Sequence, residues 1–208
     1  MTRPAAVPLV PSLVLATTNA GKLREIRDVL AGLPVEVRAL EDFPPIPEPE
    51  ETGTTFAENA RLKALYYAAV TGLVVVAEDS GLEVDALDGA PGIHSARFGG
   101  DAARSYPEKF ALIYRLLAER GQPESPARFV CALALAEGGR VLFEACGTVE
   151  GQITAPPRGA RGFGYDPLFF YPPFGCTLAE LTPAQKSSVS HRGRAFRQLR
   201  AHLAGRAV

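Results

Sequence analysis

Almost no net charge remains on this 208-residue chain, because 22 lysines and arginines stand against 23 aspartates and glutamates. No long-range field draws it to nucleic acid or to an anionic membrane, so any polyanion must be held by locally clustered cations. Cysteine is scarce as well, with Cys131, Cys146 and Cys176 showing no C-x-x-C spacing. An odd, unpatterned set argues against a disulfide framework and fits a reducing compartment. Cys131 and Cys146 lie in apolar, strand-like runs, where small core side chains are expected. No segment approaches the roughly 18 apolar residues of a membrane span. Residues 1–11 hold one arginine and three prolines and no apolar stretch of signal-peptide length. The expectation is a cytoplasmic protein with no membrane or nucleic-acid partner. No repeat, low-complexity tract or linker divides the chain. Residues 1–208 therefore read as one domain, with 1–11 as an N-terminal lead that has no functional reading.

What is present suffices for a sizeable core: 47% of the residues are hydrophobic and 22% charged, close to the globular average. Leu13–Ala16 is a continuous apolar run, as for a strand buried on both faces. Leu23, Ile26 and Leu30 follow at helical spacing until Gly32 and Pro34 stop them, and residues 35–40 alternate like a second strand. The proline- and acid-rich stretch 41–53 reads as a surface loop. Thr55 with Glu58 forms a capping box that opens a helix to about Thr71, closed by Gly72. Leu73–Ala77 is the most strand-like run and is expected to empty into an acidic turn, Glu78-Asp79-Ser80-Gly81, with a short strand at 83–87. A helix starts near Ser105-Tyr106-Pro107-Glu108. Two long strands, 127–136 and 140–149, flank the hairpin signal Gly138-Gly139. A glycine-dense loop at 159–164 and a brief strand at 168–171 come next, and Thr177 with Glu180 is expected to cap a helical turn. A last helix runs from about Ser190 to Leu203, with Arg194, Arg197 and Arg200 mostly outward. The fold class is mixed α/β, with room for two lobes.

Five places have the residue types for chemistry. Thr17, Thr18, Asn19, Ala20, Gly21 and Lys22 stand between a strand and a helix, where free backbone N–H groups and the helix dipole attract anions. They do not form a Walker A loop, which needs glycine at Ala16 and a hydroxyl at Leu23; an ordinary βα turn with a surface lysine has the same look. Glu50, Glu51 and Asp79 are hard oxygen donors of the kind Mg²⁺ takes beside substrate phosphates. Glu50 and Glu51 are also compatible with a solvated acidic loop, whereas a carboxylate beside the apolar strand at Asp79 calls for a partner cation. Asn59 and Lys63, four apart, project from one helix face. Gly162-Phe163-Gly164-Tyr165-Asp166-Pro167 reads either as a rigid loop presenting an aromatic face to a nucleobase or as a tight turn closing a satellite core. Lys186, His191 and Arg192 cluster cations at a helix start, against the preference for acids there; such violations concentrate at functional sites.

In combination and order, these segments resemble the Ham1/inosine-triphosphatase family, the RdgB-type pyrophosphatases of non-standard purine nucleoside triphosphates. The matching blocks are TTNAGK (17–22), EETGTTFAENARLKA (50–64), EDSGLEVDALDGAPGIHSARF (78–98), GFGYDPLFF (162–170) and LTPAQKSSVSHRGRA (181–195). The resemblance implies an elongated mixed sheet flanked by helices, with two lobes around a central substrate cleft, in a homodimer. It implies conversion of ITP, dITP and XTP to the monophosphate and pyrophosphate. Residues 17–22 and Lys63 would hold phosphates, Glu51 or Glu50 with Asp79 would bind Mg²⁺, and Asp79 would accept the proton of the attacking water. Ser80 would contact substrate, Phe163, Gly164, Tyr165 and Asp166 would orient the nucleoside, and Lys186, His191 and Arg192 would reach the base. One departure stands out: the family pattern has Asp-Asp-Ser-Gly where this chain has Glu78-Asp79.

Overall fold

The computed structural model describes residues 12–205; the N-terminal lead at 1–11 lies outside the described residues. Among the described residues there are five α-helices and seven strands, with helices between the first four strands and two more after the last. The strands make one mixed sheet in the order β2-β1-β3-β4-β5-β6-β7. At one end β1 (Ser12–Leu15) pairs in parallel with both β2 (Glu36–Ala39) and β3 (Val74–Val84). Leu13, Val14 and Leu15 are at most 1% exposed, as a strand covered on both faces requires. The helices α1 (Ala20–Leu30) and α2 (Phe56–Thr71) make the two crossovers. The first leads outward from β1 to β2 and the second back across β1 to β3. Right-handed crossovers in opposite directions place α1 and α2 on opposite faces of the sheet. The helix α2 carries the expected capping box, with Thr55 accepting from the Glu58 N–H and Gly72 ending it at φ +68°.

The strand β3 departs from the expectation of an acidic turn. It runs unbroken through Glu78-Asp79-Ser80-Gly81 to Val84. Two acids followed by Ser-Gly have turn composition, but Leu82 and Val84 are completely buried. Their period-two burial keeps the chain extended. Asp79 is therefore a mid-strand residue, not one at a strand's carboxyl end.

The rest of the sheet is β4 (Ser125–Glu137), β5 (Arg140–Ile153), β6 (Phe169–Tyr171) and β7 (Cys176–Thr177). The neighbours β4 and β5 are joined by Gly138 and Gly139, both at positive φ; so short a link demands antiparallel strands. The short strand β6 pairs antiparallel with both β5 and β7. Cys131 is buried, but Cys146 is exposed, on a half of β5 that is only partly covered. Thr177 and Glu180 bracket a single hydrogen-bonded turn, with the Glu180 N–H donating to the Thr177 carbonyl at 3.1 Å, and no helix continues from it. Thr177 closes β7 and its N–H donates to Glu180 Oε2 at 2.7 Å. The capping box lies five residues on, where Thr182 and Gln185 open α4 (Pro183–Val189). The helix α3 (Tyr106–Glu119) precedes β4, and α5 (His191–Ala204) ends the described chain. Arg200 is less outward than expected, since its Nη1 donates to the carbonyls of Val29 and Ala31 at the end of α1. A cation there meets the negative end of the helix dipole.

The residues gather into two compact units. The first takes those up to Asp79, Ala132–Cys146 and those from Arg192 on; the second takes Ser80–Cys131 and Gly147–His191. Ile26, Leu30, Leu135, Phe196 and Leu199 are core residues of the first, each at most 2% exposed. Leu82, Ile113, Leu117, Leu168 and Phe169 anchor the core of the second. Each such side chain contributes about 1.5–3 kcal/mol of burial. No helix of the described residues is long and apolar enough to cross a membrane.

Candidate active site

In the first unit, two carboxylates converge on one lysine. Lys63 Nζ lies 2.7 Å from Glu51 Oε1 and 3.1 Å from Asp79 Oδ1. Asn59, one helical turn before Lys63 and fully buried, donates from Nδ2 to Asp79 Oδ2 at 3.2 Å. Its Oδ1 accepts the Gly53 N–H at 2.9 Å. Asn59 thus fixes Asp79 with one end of its amide and the acidic loop with the other. A Cβ on Gly53 would approach Asn59 Oδ1 to 2.6 Å, so glycine is needed for that close pass. Burial alone would pull the Lys63 ammonium down, but Asp79 and Glu51 more than offset it and hold its pKa above the ordinary lysine value. Glu50 is exposed, while its neighbour Glu51 makes the Lys63 contact.

Glu78 faces a different set of partners. Its Oε1 lies 2.9 Å from Lys22 Nζ and 3.0 Å from Arg192 Nη2, and Arg192 Nε donates to the same oxygen at 3.1 Å. Arg192 Nη1 reaches Glu25 at 2.7 Å. Glu78 and Arg192 side chains are each 2% exposed. Burying such charges is tolerable only with close, well-directed partners. Lys22 belongs to the first turn of α1, whose cap is Asn19: Asn19 Oδ1 accepts the Lys22 N–H at 3.0 Å. Thr17 is half-buried, and its Oγ1 accepts the Asn19 N–H at 3.2 Å; Thr18, Asn19 and Ala20 are exposed. No acid occupies this first turn, so the helix end keeps its affinity for anions.

In the second unit, Lys186 Nζ meets Asp166 Oδ2 at 2.5 Å, with side chains 6% and 3% exposed. The same ammonium stands 4.6 Å from the centroid of the Phe163 ring, a cation–π distance. Asp166 Oδ2 also accepts the Phe163 N–H at 2.8 Å. The two aromatics of this loop diverge. Phe163 is half-buried, but Tyr165 is 3% exposed, packs edge-on to Tyr106 at 5.3 Å and donates to the Ser95 carbonyl. Tyr165 is thus a core anchor and Phe163 the ring near the surface, with Gly164 half-buried between them. His191 stacks on Phe129 at 4.8 Å, 12° from parallel. Ser80 is half-buried on β3. Among the contacts described, Lys186 meets Asp166 and Phe163, His191 meets Phe129, and Arg192 meets Glu78 and Glu25.

A sequence model described as the Ham1 family matches residues 13–202. The chain belongs to that family. Among relatives, the dITP/XTP pyrophosphatase of Exiguobacterium sp. is 49% identical over 92% of this chain and 96% of its own length. The dITP/XTP pyrophosphatase of Gloeobacter violaceus is 53% identical over 90% and 91%. Among solved structures, a HAM1 protein from Coxiella burnetii superposes with a TM-score of 0.86 at 39% identity, covering 93% of this chain and 98% of that one.

Within this Ham1 chain, spacing alone did not single out Glu25 or Ser95. Glu25 meets Arg192 across 167 positions, a distance no local pattern spans. Glu51 and Asp79 suit Mg²⁺: both are hard oxygen donors and both already reach one cation, Lys63 Nζ. Among the described residues no three acids, histidines or cysteines form a protein-only cage. Mg²⁺ needs none, because it usually takes one or two carboxylates and fills its octahedron with phosphate oxygens and water.

Proposed function

We propose that this Ham1 chain hydrolyses dITP, ITP and XTP to the nucleoside monophosphate and pyrophosphate, clearing them from the nucleotide pool. The observation that carries the reading is the convergence of Asp79 and Glu51 on Lys63, with Asn59 fixing the Asp79 carboxylate. This happens in a family whose relatives are named dITP/XTP pyrophosphatases.

Asp79 accepts a proton from the water that attacks the α-phosphorus. The bond from that phosphorus to the bridging oxygen breaks, and pyrophosphate departs. The Lys63 ammonium lies against Asp79 and stabilises negative charge on the leaving group, the main electrostatic contribution in such transfers. The turn 17–22 receives phosphate oxygens on the exposed start of α1, and Lys22 adds its charge as it exchanges contact with Glu78. Glu51 and Asp79 would hold Mg²⁺, which would supply neutralisation of the phosphate charge. Phe163 offers a ring to the purine. ITP and XTP carry a 6-oxo group where ATP has an amino group, so a hydrogen-bond donor set for the oxo group rejects ATP. The protein works as a Mg²⁺-dependent cytoplasmic homodimer. Its three cysteines, an odd number without paired spacing, accord with a reducing compartment.

Dephosphorylation assays with dITP, XTP, ITP, GTP and ATP test the proposal, read as pyrophosphate against phosphate, with Mg²⁺ and with EDTA. Pyrophosphate from dITP and XTP, lost in EDTA, is expected. Release of inorganic phosphate instead, or tight binding without turnover, would replace the pyrophosphatase with a phosphotransfer enzyme or a nucleotide sensor. Light scattering on the eluting protein checks the dimer.

A further inference from the structure

Ser95 lies in the short 3-10 segment Gly92–Arg97 and is 6% exposed. Its hydroxyl donates to the Gly92 carbonyl at 2.6 Å and accepts the Leu82 N–H at 2.9 Å, in β3 two residues past Ser80. Its carbonyl accepts the Tyr165 hydroxyl at 2.8 Å. The next carbonyl, that of Ala96, accepts from Lys109 Nζ. Lys109 in turn stands 4.9 Å from the Tyr106 ring, which packs against Tyr165. Two successive carbonyls of this segment are thus held by two side chains that meet at one aromatic contact.

Backbone bonds close the loop after Phe163, with the Asp166 N–H donating to the Phe163 carbonyl at 3.4 Å and the Leu168 N–H to that of Tyr165 at 3.2 Å. Phe163 stands between Gly162 and Gly164, at φ +73° and +66°, and glycine restricts its neighbours least. Asp166 holds the Phe163 N–H and the Lys186 ammonium that faces the Phe163 ring, and the buried Tyr165 side chain anchors the loop between them. The Tyr165 hydroxyl donates to the Ser95 carbonyl, and the Ser95 hydroxyl ties the same residue to Gly92 and to Leu82 of β3. Unpairing either end leaves a buried polar group unsatisfied, which drives the local structure to rearrange.

We propose that Ser95 is a positioning residue for nucleoside recognition: it locks β3 just beyond Ser80 to the Phe163–Asp166 loop through the Tyr165 hydroxyl. The inference rests on the reading above that this loop takes the nucleoside. It assigns Ser95 no contact with phosphate or metal, so its influence falls on the base end of the substrate alone.

The test uses full-length Tyr165→Phe, Ser95→Ala, their double variant, and Ser95→Thr, which keeps the hydroxyl. Amide hydrogen exchange across residues 162–166 is expected to quicken about fivefold to tenfold in Tyr165→Phe and Ser95→Ala, as for one lost buried hydrogen bond. Ser95→Thr is expected to exchange like wild type. The double variant is expected to be no faster than the faster single, since both cut one connection. KM for dITP is expected to rise by a similar factor with kcat within twofold, while inhibition by tripolyphosphate, which has no base, stays unchanged. Wild-type exchange in both singles, multiplying effects in the double, or a tripolyphosphate constant that moves with KM would each overturn the proposal. Should Ser95→Ala not fold, Tyr165→Phe carries both readouts. A wild-type protein that leaves dITP and XTP intact would sink the nucleotide reading instead, and the exchange rates would still decide whether Ser95 holds the loop.

Discussion

Replacing Lys63 with methionine keeps the length and apolar stem of the side chain and removes a cation that Glu51 and Asp79 share. Breaking a fully buried pair by deleting one partner costs about 3–5 kcal/mol. Here the Lys63 side chain is 15% exposed and that of Glu51 25%, so water screens part of the loss. Asn59 also still donates to Asp79. A loss of about 2–3 kcal/mol in unfolding free energy at neutral pH follows, most of it from Asp79, whose side chain is only 9% exposed. Urea denaturation of wild type, Lys63→Met and Lys63→Arg measures it, and arginine is expected to recover more than half. The pH dependence has a definite sign. Folding raises the Lys63 pKa above its ordinary value, so the stabilisation is complete below that value, about 10.5. It is lost only as pH climbs through the raised folded pKa. The gap between wild type and Lys63→Met should therefore stay flat from pH 7 to 10 and narrow above it. A gap below about 0.5 kcal/mol at neutral pH would refute the pairing, and a gap that closes between pH 7 and 9 would refute the direction of the shift.

Asp79→Asn preserves shape and is expected to lower kcat on the order of 10²–10⁴-fold, the loss for a missing general base; unimpaired pyrophosphate release would remove Asp79 from that role. Glu78→Gln leaves the buried Arg192 with Glu25 as its remaining acid among the contacts described above. It should cost about 3 kcal/mol in urea denaturation, and Glu78→Asp, which keeps the charge, less than half of that. Gly162→Ala would put a Cβ 2.1 Å from Asp166 Oδ2 at φ +73°, forcing the Lys186–Asp166 pair apart. Its melting temperature should fall well below that of Gly138→Ala, where φ is +54° but nothing lies within 4 Å of the added carbon, and equal losses would mean that strain alone matters.

What was legible in the sequence is what is written locally. The capping box at Thr55, the helix start at Ser105, the Gly138-Gly139 hairpin and the apolar run of β1 all act over a few residues, and all are found where spacing put them. The capping signature at Thr177, Thr-x-x-Glu, is of the same kind as the Thr-x-x-Gln at Thr182, yet it closes a single turn and starts no helix. Pairing with β6 holds Thr177 extended instead, a preference set by tertiary contact rather than by propensity. The candidate site divides in the same way. Its residues stand out by type, because carboxylates beside apolar runs and cations at helix starts are costly without partners. Their partners do not stand out. Glu78 with Arg192 spans 114 positions and Tyr165 with Ser95 spans 70, so nothing in the spacing distinguishes Tyr165 as an anchor from Phe163 as the surface ring.

The extension of β3 through Glu78 and Asp79 carries more than a corrected boundary. In a turn, two adjacent acids can converge on one cation; on a strand, consecutive side chains leave opposite faces. Because the two crossovers around β1 run in opposite directions, one face of β3 meets α1 and the other meets α2. Glu78 accordingly finds Lys22 of α1 and Arg192 of α5, while Asp79 finds Asn59 and Lys63 of α2. The pair of acids is thus divided by the pleat into a carboxylate that holds two cations of the fold and one proposed for the chemistry. A longer side chain is tolerable at 78 on these grounds, since that position answers to the reach of two cations, whereas 79 must present its oxygens to a lysine and an amide fixed on one helix. The substitution of glutamate for the family's aspartate falls on the face that holds the fold together and leaves the face proposed to hold the reaction unchanged.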